Sequence, residues 1–169
     1  WIEPEMVSPK SELYEKHKDW VIRFPNRDEY YFRNQLVLDL SNPEVQDYVF
    51  NVVDRLKTEN PGIAYFKWDC NSPITNIYSA YLKDKQSHLY VDHIHGLYKV
   101  LERIQKKYPD LPMMLCSGGG GRTDYEALKY FTEFWPSDNT DAVERIFIQW
   151  GYSYPVSYTH LRAHETELH

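Results

Sequence analysis

The stretch GIAYFKWDCN, residues 62–71, decides the fold. It begins with apolar and aromatic residues and then places Lys67, Asp69 and Asn71 at alternate positions. A short, mainly apolar run that ends in polar residues is typical of a strand buried on both faces of a parallel sheet. We therefore predict a strand over 62–69 with Asp69 at its carboxyl end. Lys67 and Asn71 then point to the same side as Asp69.

The same kind of segment recurs along the chain. Residues 1–6 read as the end of one strand, and further strands are predicted at 35–40, 113–117 and 133–137. Between them, apolar residues repeat at helical spacing. Ser41 as a cap, Pro43 in the first turn and Glu44 three residues after Ser41 mark one helix start. Helices are predicted at 43–56, 91–104, 125–131 and 142–149.

Alternation of buried strands with helices predicts an α/β fold with a parallel sheet and right-handed crossovers. The polar candidates follow the strands, as active-site residues do on the carboxyl face of a (β/α)8 TIM barrel. An open doubly wound sheet is the alternative fold. A whole barrel takes roughly 250 residues. Residues 1–154 are therefore predicted to be part of a barrel, about five of its eight units and roughly its second to sixth strands.

The last fifteen residues differ from the rest. Segment 155–169 has no apolar period, holds three of the seven histidines and resembles translated sequencing-adapter read-through. We expect it to be a non-native or disordered tail, with native sequence ending near Tyr154. The chain also begins at Trp1 without an initiator Met.

Composition argues against several classes of protein. The net charge is -6 with dispersed Lys and Arg, which disfavours nucleic acid as a partner. The sequence contains no run of about 18 apolar residues, so no membrane span is predicted.

The two cysteines, Cys70 and Cys116, are expected to be reduced. His88, His93 and His95 lack the spacing of a metal site, and we expect them to lie at a solvated helix start.

Two aspartates at strand ends are the candidate catalytic residues. Asp69 lies two residues from Lys67, whose cation favours an ionised carboxylate, as a nucleophile requires. Asp138 ends the strand over 133–137, where nearby ionised Asp69 and partial burial against Trp135 would favour a protonated acid. Two carboxylates that face one sugar are the requirement of glycoside hydrolysis. Residues 139–141 are instead expected to cap the next helix.

A glycine run comes after the strand at 113–117. The segment CSGGGGR, residues 116–122, lacks the Gly-Lys-Ser/Thr ending of a phosphate loop. Glycines there permit close approach of the backbone to a ligand, although a flexible turn is an open alternative. The other carboxylates near strand ends, Glu3, Glu5 and Asp39, are interpreted as structural or supporting residues.

Five ordered blocks resemble the bacterial-type α-galactosidases of glycoside hydrolase family 36: WIEPEMV, RNQLVLD, KWDCN, CSGGG and SDNTD, the last followed by Arg145. The resemblance implies a retaining mechanism with Asp69 as nucleophile and Asp138 as acid/base. It also implies that several residues hold the galactose. With the neighbouring aromatic and hydroxyl residues, the candidate substrate-binding residues are Trp1, Arg33, Lys67, Trp68, Asn71, Cys116, Ser117, Gly118, Gly119 and Trp135.

The resemblance also has implications for substrate, cofactors and assembly. It implies an α-galactoside substrate of the melibiose or raffinose type, no metal or organic cofactor, and a homo-oligomeric, often tetrameric, parent. Cytoplasmic location is favoured for a bacterial-type parent. The family's flanking domains and other barrel strands are not in this sequence, so we expect the chain alone to be poorly soluble and inactive. An α-N-acetylgalactosaminidase, a raffinose-synthase-like galactosyl transferase and a non-catalytic carbohydrate-binding relic stay open as alternatives.

Overall fold

The computed structural model describes residues 1–154, so the predicted tail at 155–169 lies outside the described residues. The described residues form two compact units. The sheet unit comprises Trp1–Ile2, Ala64–Asp69 and residues 110–154, and the helical unit comprises Glu3–Ile63 and Cys70–Pro109.

The described part of the chain contains five strands and four α-helices. The strands are β1 (Met6–Val7), β2 (Leu36–Val37), β3 (Phe66–Trp68), β4 (Met113–Leu115) and β5 (Glu133–Phe134). The helices are α1 (Glu12–Lys16), α2 (Pro43–Glu59), α3 (Leu89–Lys107) and α4 (Ala142–Tyr152). Single 3-10 turns occupy Lys18–Trp20, Gln86–His88 and Ala127–Lys129.

The sheet unit is built on a parallel sheet in the order β3-β4-β5. Its register pairs Lys67 with Met114 and Leu115 with Phe134. Ile2 adds a parallel bridge to Trp68 on the other side of β3. The parallel arrangement predicted for these segments is therefore confirmed, and the carboxyl ends of β3, β4 and β5 lie side by side.

Residues of β3 alternate between the core and the opposite face, as the pleat of a strand requires. Phe66 and Trp68 are buried, and the Trp68 ring packs edge-on against Phe131. Lys67 is partly exposed on the other side. This alternation places Lys67, rather than Trp68, on the same side of the strand as Asp69.

The segment at 35–40 differs from the prediction. In place of another parallel strand, β2 pairs antiparallel with β1 in a separate two-stranded sheet. The turn over residues 3–6 explains the difference, because Met6 N–H donates to the Glu3 carbonyl at 3.1 Å and turns the chain back beside β2. Leu38 N–H then donates to the Glu5 carbonyl at 2.9 Å and extends this pairing.

Helix α2 begins at Pro43 as predicted, but its N-cap is Asn42, one residue after the predicted cap Ser41. The Asn42 side chain accepts the Glu44 N–H at 3.0 Å. Ser41 is buried instead, and its hydroxyl donates to Asp39 at 2.5 Å. Because the buried Asp39 carboxylate needs hydrogen-bond donors, Ser41 binds Asp39 instead of capping the helix.

The two long helices of the helical unit, α2 and α3, pack on each other. Gly96 lies in α3 where a Cβ would stand 1.8 Å from the Leu40 carbonyl oxygen. The same carbonyl accepts a 2.8 Å hydrogen bond from Gln46 of α2. Absence of a side chain at Gly96 therefore permits this close approach of backbone to backbone.

The expectation of solvated histidines is wrong for His93. This side chain is buried, and its Nδ1 accepts the Leu40 N–H at 3.3 Å. Because Nδ1 accepts, a neutral ring carries its proton on Nε2, which lies 4.0 Å from a carboxylate oxygen of buried Glu5. His93 and Glu5 are thus structural residues that join α3 to the segment before β1.

Candidate active site

Asp69 follows β3 directly and is held by backbone pairing. Its N–H donates to the Ile2 carbonyl at 2.9 Å, and the Ile2 N–H donates to the Lys67 carbonyl at 2.9 Å. The Asp69 residue is only 1% exposed. Backbone bonds on the Ile2 side of the strand thus fix the point from which this carboxylate projects.

The Cys116 thiol is a neighbour of Asp69. Burial raises the pKa of Cys116, and the charge of Asp69 and a side-chain hydrogen bond to it act in the same direction. A backbone hydrogen bond from Gly119 and the charge of Lys67 lower this pKa in part. A thiol whose pKa is raised keeps its proton and can donate it in a hydrogen bond to the Asp69 carboxylate.

Lys67 lies among aromatic rings on the same side as Asp69. Its Nζ stands 3.9 Å from the centroid of the Trp1 ring and 5.3 Å from that of Trp135. A cation that close to a ring face is attracted by the ring quadrupole. Trp1 is itself 74% exposed and presents an apolar ring to solvent.

Asp138 lies in the loop after β5 and is oriented by Trp135. The indole Nε1–H donates to Asp138 Oδ1 at 2.8 Å. The guanidinium of Arg145, from α4, lies 5.0 Å from the Trp135 ring centroid and donates to the Ser137 carbonyl at 3.1 Å. Asp141 caps α4 by accepting the N–H groups of residues 143 and 144, as predicted for the 139–141 segment.

The glycine run after β4 packs against the loop after β5. Gly118 and Gly119 have φ of 56° and 83°, in the left-handed region that favours glycine. A Cβ on Gly119 would lie 3.1 Å from Ser137 Cα, and Gly120 N–H donates to the Pro136 carbonyl at 3.1 Å. Gly119 therefore permits close approach of this loop to the loop after β5, and its predicted approach to a ligand stays a prediction.

Tyr152, near the end of α4, covers the other side of this glycine run. A Cβ on Gly120 would lie 2.2 Å from the Tyr152 ring, and the Tyr152 hydroxyl pairs with Thr123. Burial, and then the charge of Cys116, raises the pKa of Tyr152 to about 12. No sequence signal predicts this contact, because the local sequence does not indicate which residues an aromatic side chain on a helix packs against.

The structure corrects the prediction that Trp68 is a substrate-binding residue. Its side chain is 0% exposed and packs against Phe131. Sequence adjacency to Asp69 suggested a binding role, but successive strand residues face opposite sides. The structure places Trp68 in the core of the sheet unit.

Two further candidates, Arg33 and Asn71, belong to the helical unit. Arg33 and Asn34 have φ of 54° and 58°, and Gln35 N–H closes the turn on the Phe32 carbonyl at 3.1 Å. Two consecutive residues in this region define a type I′ turn, in which Asn-Gly is the usual pair. An arginine at such a position is strained, which is typical of functional sites.

Glu3 makes contacts that no sequence pattern predicted. Its Oε1 accepts from Asn71 Nδ2 at 3.1 Å, and its Oε2 accepts from Gln35 Nε2 at 3.3 Å. The sequence interpretation placed Glu3 among structural or supporting carboxylates without a named partner. One carboxylate thus bonds a candidate sugar-binding residue and the residue that closes the Arg33 turn.

Residues 1–154 contain no disulfide, no candidate metal site and no membrane-spanning helix. Cys70 and Cys116 are both free thiols. Within this range no group of three or more His, Cys, Asp or Glu side chains could hold a metal ion. None of the helices in the same range is long and apolar enough to cross a membrane.

Comparison with known proteins identifies the class to which this fold and site belong. The melibiase family model matches residues 1–167. The chain therefore belongs to the melibiase family, and its resemblance to family 36 α-galactosidases is confirmed.

Individual relatives agree with this assignment. Alpha-galactosidase AgaA of Geobacillus stearothermophilus is 46% identical over 93% of this chain and 22% of its own length. Alpha-galactosidase 1 of Pediococcus pentosaceus is 42% identical over 93% of this chain and 22% of its own. The chain thus spans about a fifth of the length of the curated relatives it matches.

Solved structures match in the same way. The crystal structure of the family 36 AgaA superposes with a TM-score of 0.86 at 46% identity, covering 92% of this chain and 22% of that one. A double variant of AgaA in complex with raffinose gives a TM-score of 0.86 at 45% identity, covering 90% and 21%. The chain is therefore a mixed α/β segment that matches family 36 α-galactosidase structures.

Proposed function

We propose that this chain carries the catalytic residues of a retaining α-galactosidase. The observation that supports this best is the position of Asp69 and Asp138 after β3 and β5 of one parallel sheet, with only β4 between them. Two strand spacings separate the carboxyl ends of β3 and β5 by about 10 Å. Side chains that lean toward each other over β4 would meet the separation of about 5–5.5 Å that retaining enzymes use.

The reaction follows from these positions. Asp138, oriented by Trp135, protonates the oxygen of the leaving group while Asp69 attacks the anomeric carbon and forms a galactosyl-enzyme ester. Asp138 then takes a proton from water, which attacks the same carbon and releases galactose with its original configuration. The Cys116 thiol donates to Asp69 and so holds one carboxylate oxygen, which orients the nucleophile.

The sugar-binding roles follow from the family resemblance together with the local contacts. Lys67 donates to sugar hydroxyls from beside Asp69, and the exposed Trp1 ring offers an apolar face to the pyranose. The proposed binding residues are Trp1, Arg33, Lys67, Asn71, Cys116, Ser117, Gly118, Gly119 and Trp135. We assign Trp68 to the core instead, for the reason of strand alternation.

The substrate is proposed to be a terminal α-galactoside of the raffinose or melibiose type. Two AgaA variants whose structures contain raffinose and stachyose support this class. We further propose that the chain is part of a (β/α)8 barrel within a longer, homo-oligomeric enzyme and is inactive alone. The share of its relatives that it spans, about a fifth, supports that proposal.

The test is an assay of the full-length protein against aryl α-galactoside, α-N-acetylgalactosaminide and α-glucoside. We expect cleavage of the α-galactoside, with loss of at least roughly a thousandfold in kcat for Asp69→Ala and Asp138→Ala. Asp141→Ala, which removes a neighbouring carboxylate that only caps α4, is the matched control and should stay active. NMR of the first-formed sugar should show the α-anomer. A β-anomer, or full activity of Asp69→Ala, would reject the mechanism.

A further inference from the structure

Glu3 begins a hydrogen-bonded turn in the helical unit. Pro4 is the second residue of this turn, and the Met6 N–H donates to the Glu3 carbonyl at 3.1 Å. Met6 and Val7 then pair with β2. Because proline fixes φ at the second position and the β1–β2 ladder fixes Met6 and Val7, the Glu3 backbone has little freedom.

The Glu3 carboxylate is shared between two donors. Asn71 Nδ2 donates to one oxygen at 3.1 Å, and Gln35 Nε2 donates to the other at 3.3 Å. Both donors are neutral amides. A carboxylate only accepts hydrogen bonds, so it fixes the amide end of Asn71 toward Glu3 and its carbonyl end away from it.

The second oxygen connects to the turn at Arg33. Gln35, which it binds, also closes that turn through its backbone bond to Phe32. Arg33 and Asn34 hold strained left-handed conformations there. Strain of this kind persists only where the surroundings enforce it, and the Glu3–Gln35 bond is one such restraint.

We infer that Glu3 is a positioning residue that sets the orientation of the Asn71 carboxamide and of the Arg33 turn for sugar binding. The inference rests on the proposed function, because the roles of Asn71 and Arg33 come from it. Glu3 acts through these two residues and does not itself contact the sugar.

The Glu3 carboxylate and the Asn71 carboxamide can be exchanged between the two positions to test their pairing. In Glu3→Gln, the new amide offers one oxygen for two donors, so either Asn71 or Gln35 loses its acceptor unless that side chain turns its own carbonyl toward position 3. Combining Glu3→Gln with Asn71→Asp restores the pairing with donor and acceptor exchanged, since the new amide donates to the new carboxylate. The outward-facing atom is then again an oxygen.

The experiment measures kcat/KM of the full-length protein on an aryl α-galactoside for Glu3→Gln, Asn71→Asp and the double variant. Glu12→Gln, which removes an exposed carboxylate of α1, is the control. We expect roughly 10- to 100-fold loss for Glu3→Gln, partial recovery in the double variant, and an unchanged unfolding midpoint. Monodeoxy galactosides should identify one hydroxyl whose removal costs wild type much more than it costs Glu3→Gln.

The outcomes separate this inference from the proposed function. Wild-type protein that cleaves no α-galactoside would contradict the proposed function. Active wild type with an unchanged Glu3→Gln variant would contradict the positioning role alone. A loss that the second substitution does not recover, together with a lowered unfolding midpoint, would also overturn it, because Glu3 would then serve stability only.

Discussion

Trp135 donates its indole N–H to Asp138 Oδ1 at 2.8 Å. The same ring lies 5.3 Å from the Lys67 ammonium and 5.0 Å from the Arg145 guanidinium, measured to the ring centroid. One aromatic side chain therefore contacts the proposed acid/base and two cations. Because Trp135 directly follows β5, the parallel sheet positions the ring that orients Asp138.

Replacement of Trp135 by Phe should affect acid catalysis more than binding. The ring stays, but the donor to Asp138 is lost, and kcat on raffinose should fall by about tenfold. An aryl galactoside with a good leaving group needs little protonation, so its kcat should change much less. Steady-state rates on the two substrates provide the measurement. Equal losses on both would show that the indole bond does not serve the acid.

Gly119→Ala should destabilise the loop that borders both aspartates. Alanine is strained at the φ of 83°, and its Cβ would lie 3.1 Å from Ser137 Cα, closer than an ordinary van der Waals contact. We expect a cost of about 1–3 kcal/mol and reduced kcat, read by urea unfolding and by rates. Gly151→Ala is the matched control, since nothing lies within 4 Å of its Cβ and the helix favours alanine. Equal effects of both substitutions would refute the packing argument.

Gly96→Ala tests the closest backbone approach in the helical unit. A Cβ there meets the Leu40 carbonyl oxygen at 1.8 Å, so α3 must shift. Overpacking of this kind should lower the free energy of unfolding by about 3 kcal/mol. Gly62→Ala, with open space around its Cβ, should be neutral or slightly stabilising. An unchanged free energy of unfolding for Gly96→Ala would contradict the close approach of Gly96 to the Leu40 carbonyl oxygen.

Cys116 should resist alkylation in the native protein. Burial and the Asp69 charge raise the pKa of its thiol above the ordinary value of 9.0, so the thiolate is scarce at pH 8. The unfolded chain ionises first as the pH rises, so this buried thiol costs stability above pH 9 and leaves stability unchanged below it. Iodoacetamide labelling and peptide mass spectrometry should show far slower reaction in buffer than in urea. Similar rates would contradict the buried pairing.

The isolated chain should bind apolar dyes. Helix α4 exposes a stripe of large apolar side chains at helical spacing: Val143, Ile146, Phe147 and Trp150. We expect strong fluorescence of anilinonaphthalene sulfonate with the purified 169-residue chain, low solubility and no turnover. The double substitution Ile146→Lys and Phe147→Lys should reduce the dye signal. A soluble, active chain without dye binding would reject the proposal that it needs the rest of a longer enzyme.

Local sequence patterns predicted the parallel strands and the long helices because periodicity and caps act within a few residues. They placed Asp69 and Asp138 after strands of one sheet for the same reason. They did not predict the antiparallel pairing of β1 with β2, which depends on a turn at Pro4 and a partner about thirty residues away. Burial of His93 and Trp68 and the bond from Asn71 to Glu3 also depend on tertiary neighbours that a sequence pattern does not contain.

Trapping of the covalent intermediate would identify the nucleophile directly. Without Asp138 the first step still proceeds on a substrate with a good leaving group, whereas the second step lacks its base. The full-length Asp138→Ala variant would be mixed with dinitrophenyl α-galactoside, quenched in acid and digested for mass spectrometry. We expect one galactosyl residue on the peptide that contains Asp69, with fragmentation that assigns it to that carboxylate. Galactose attached to another residue, or a first-formed β-galactose without any adduct, would contradict the assignment of Asp69 as nucleophile.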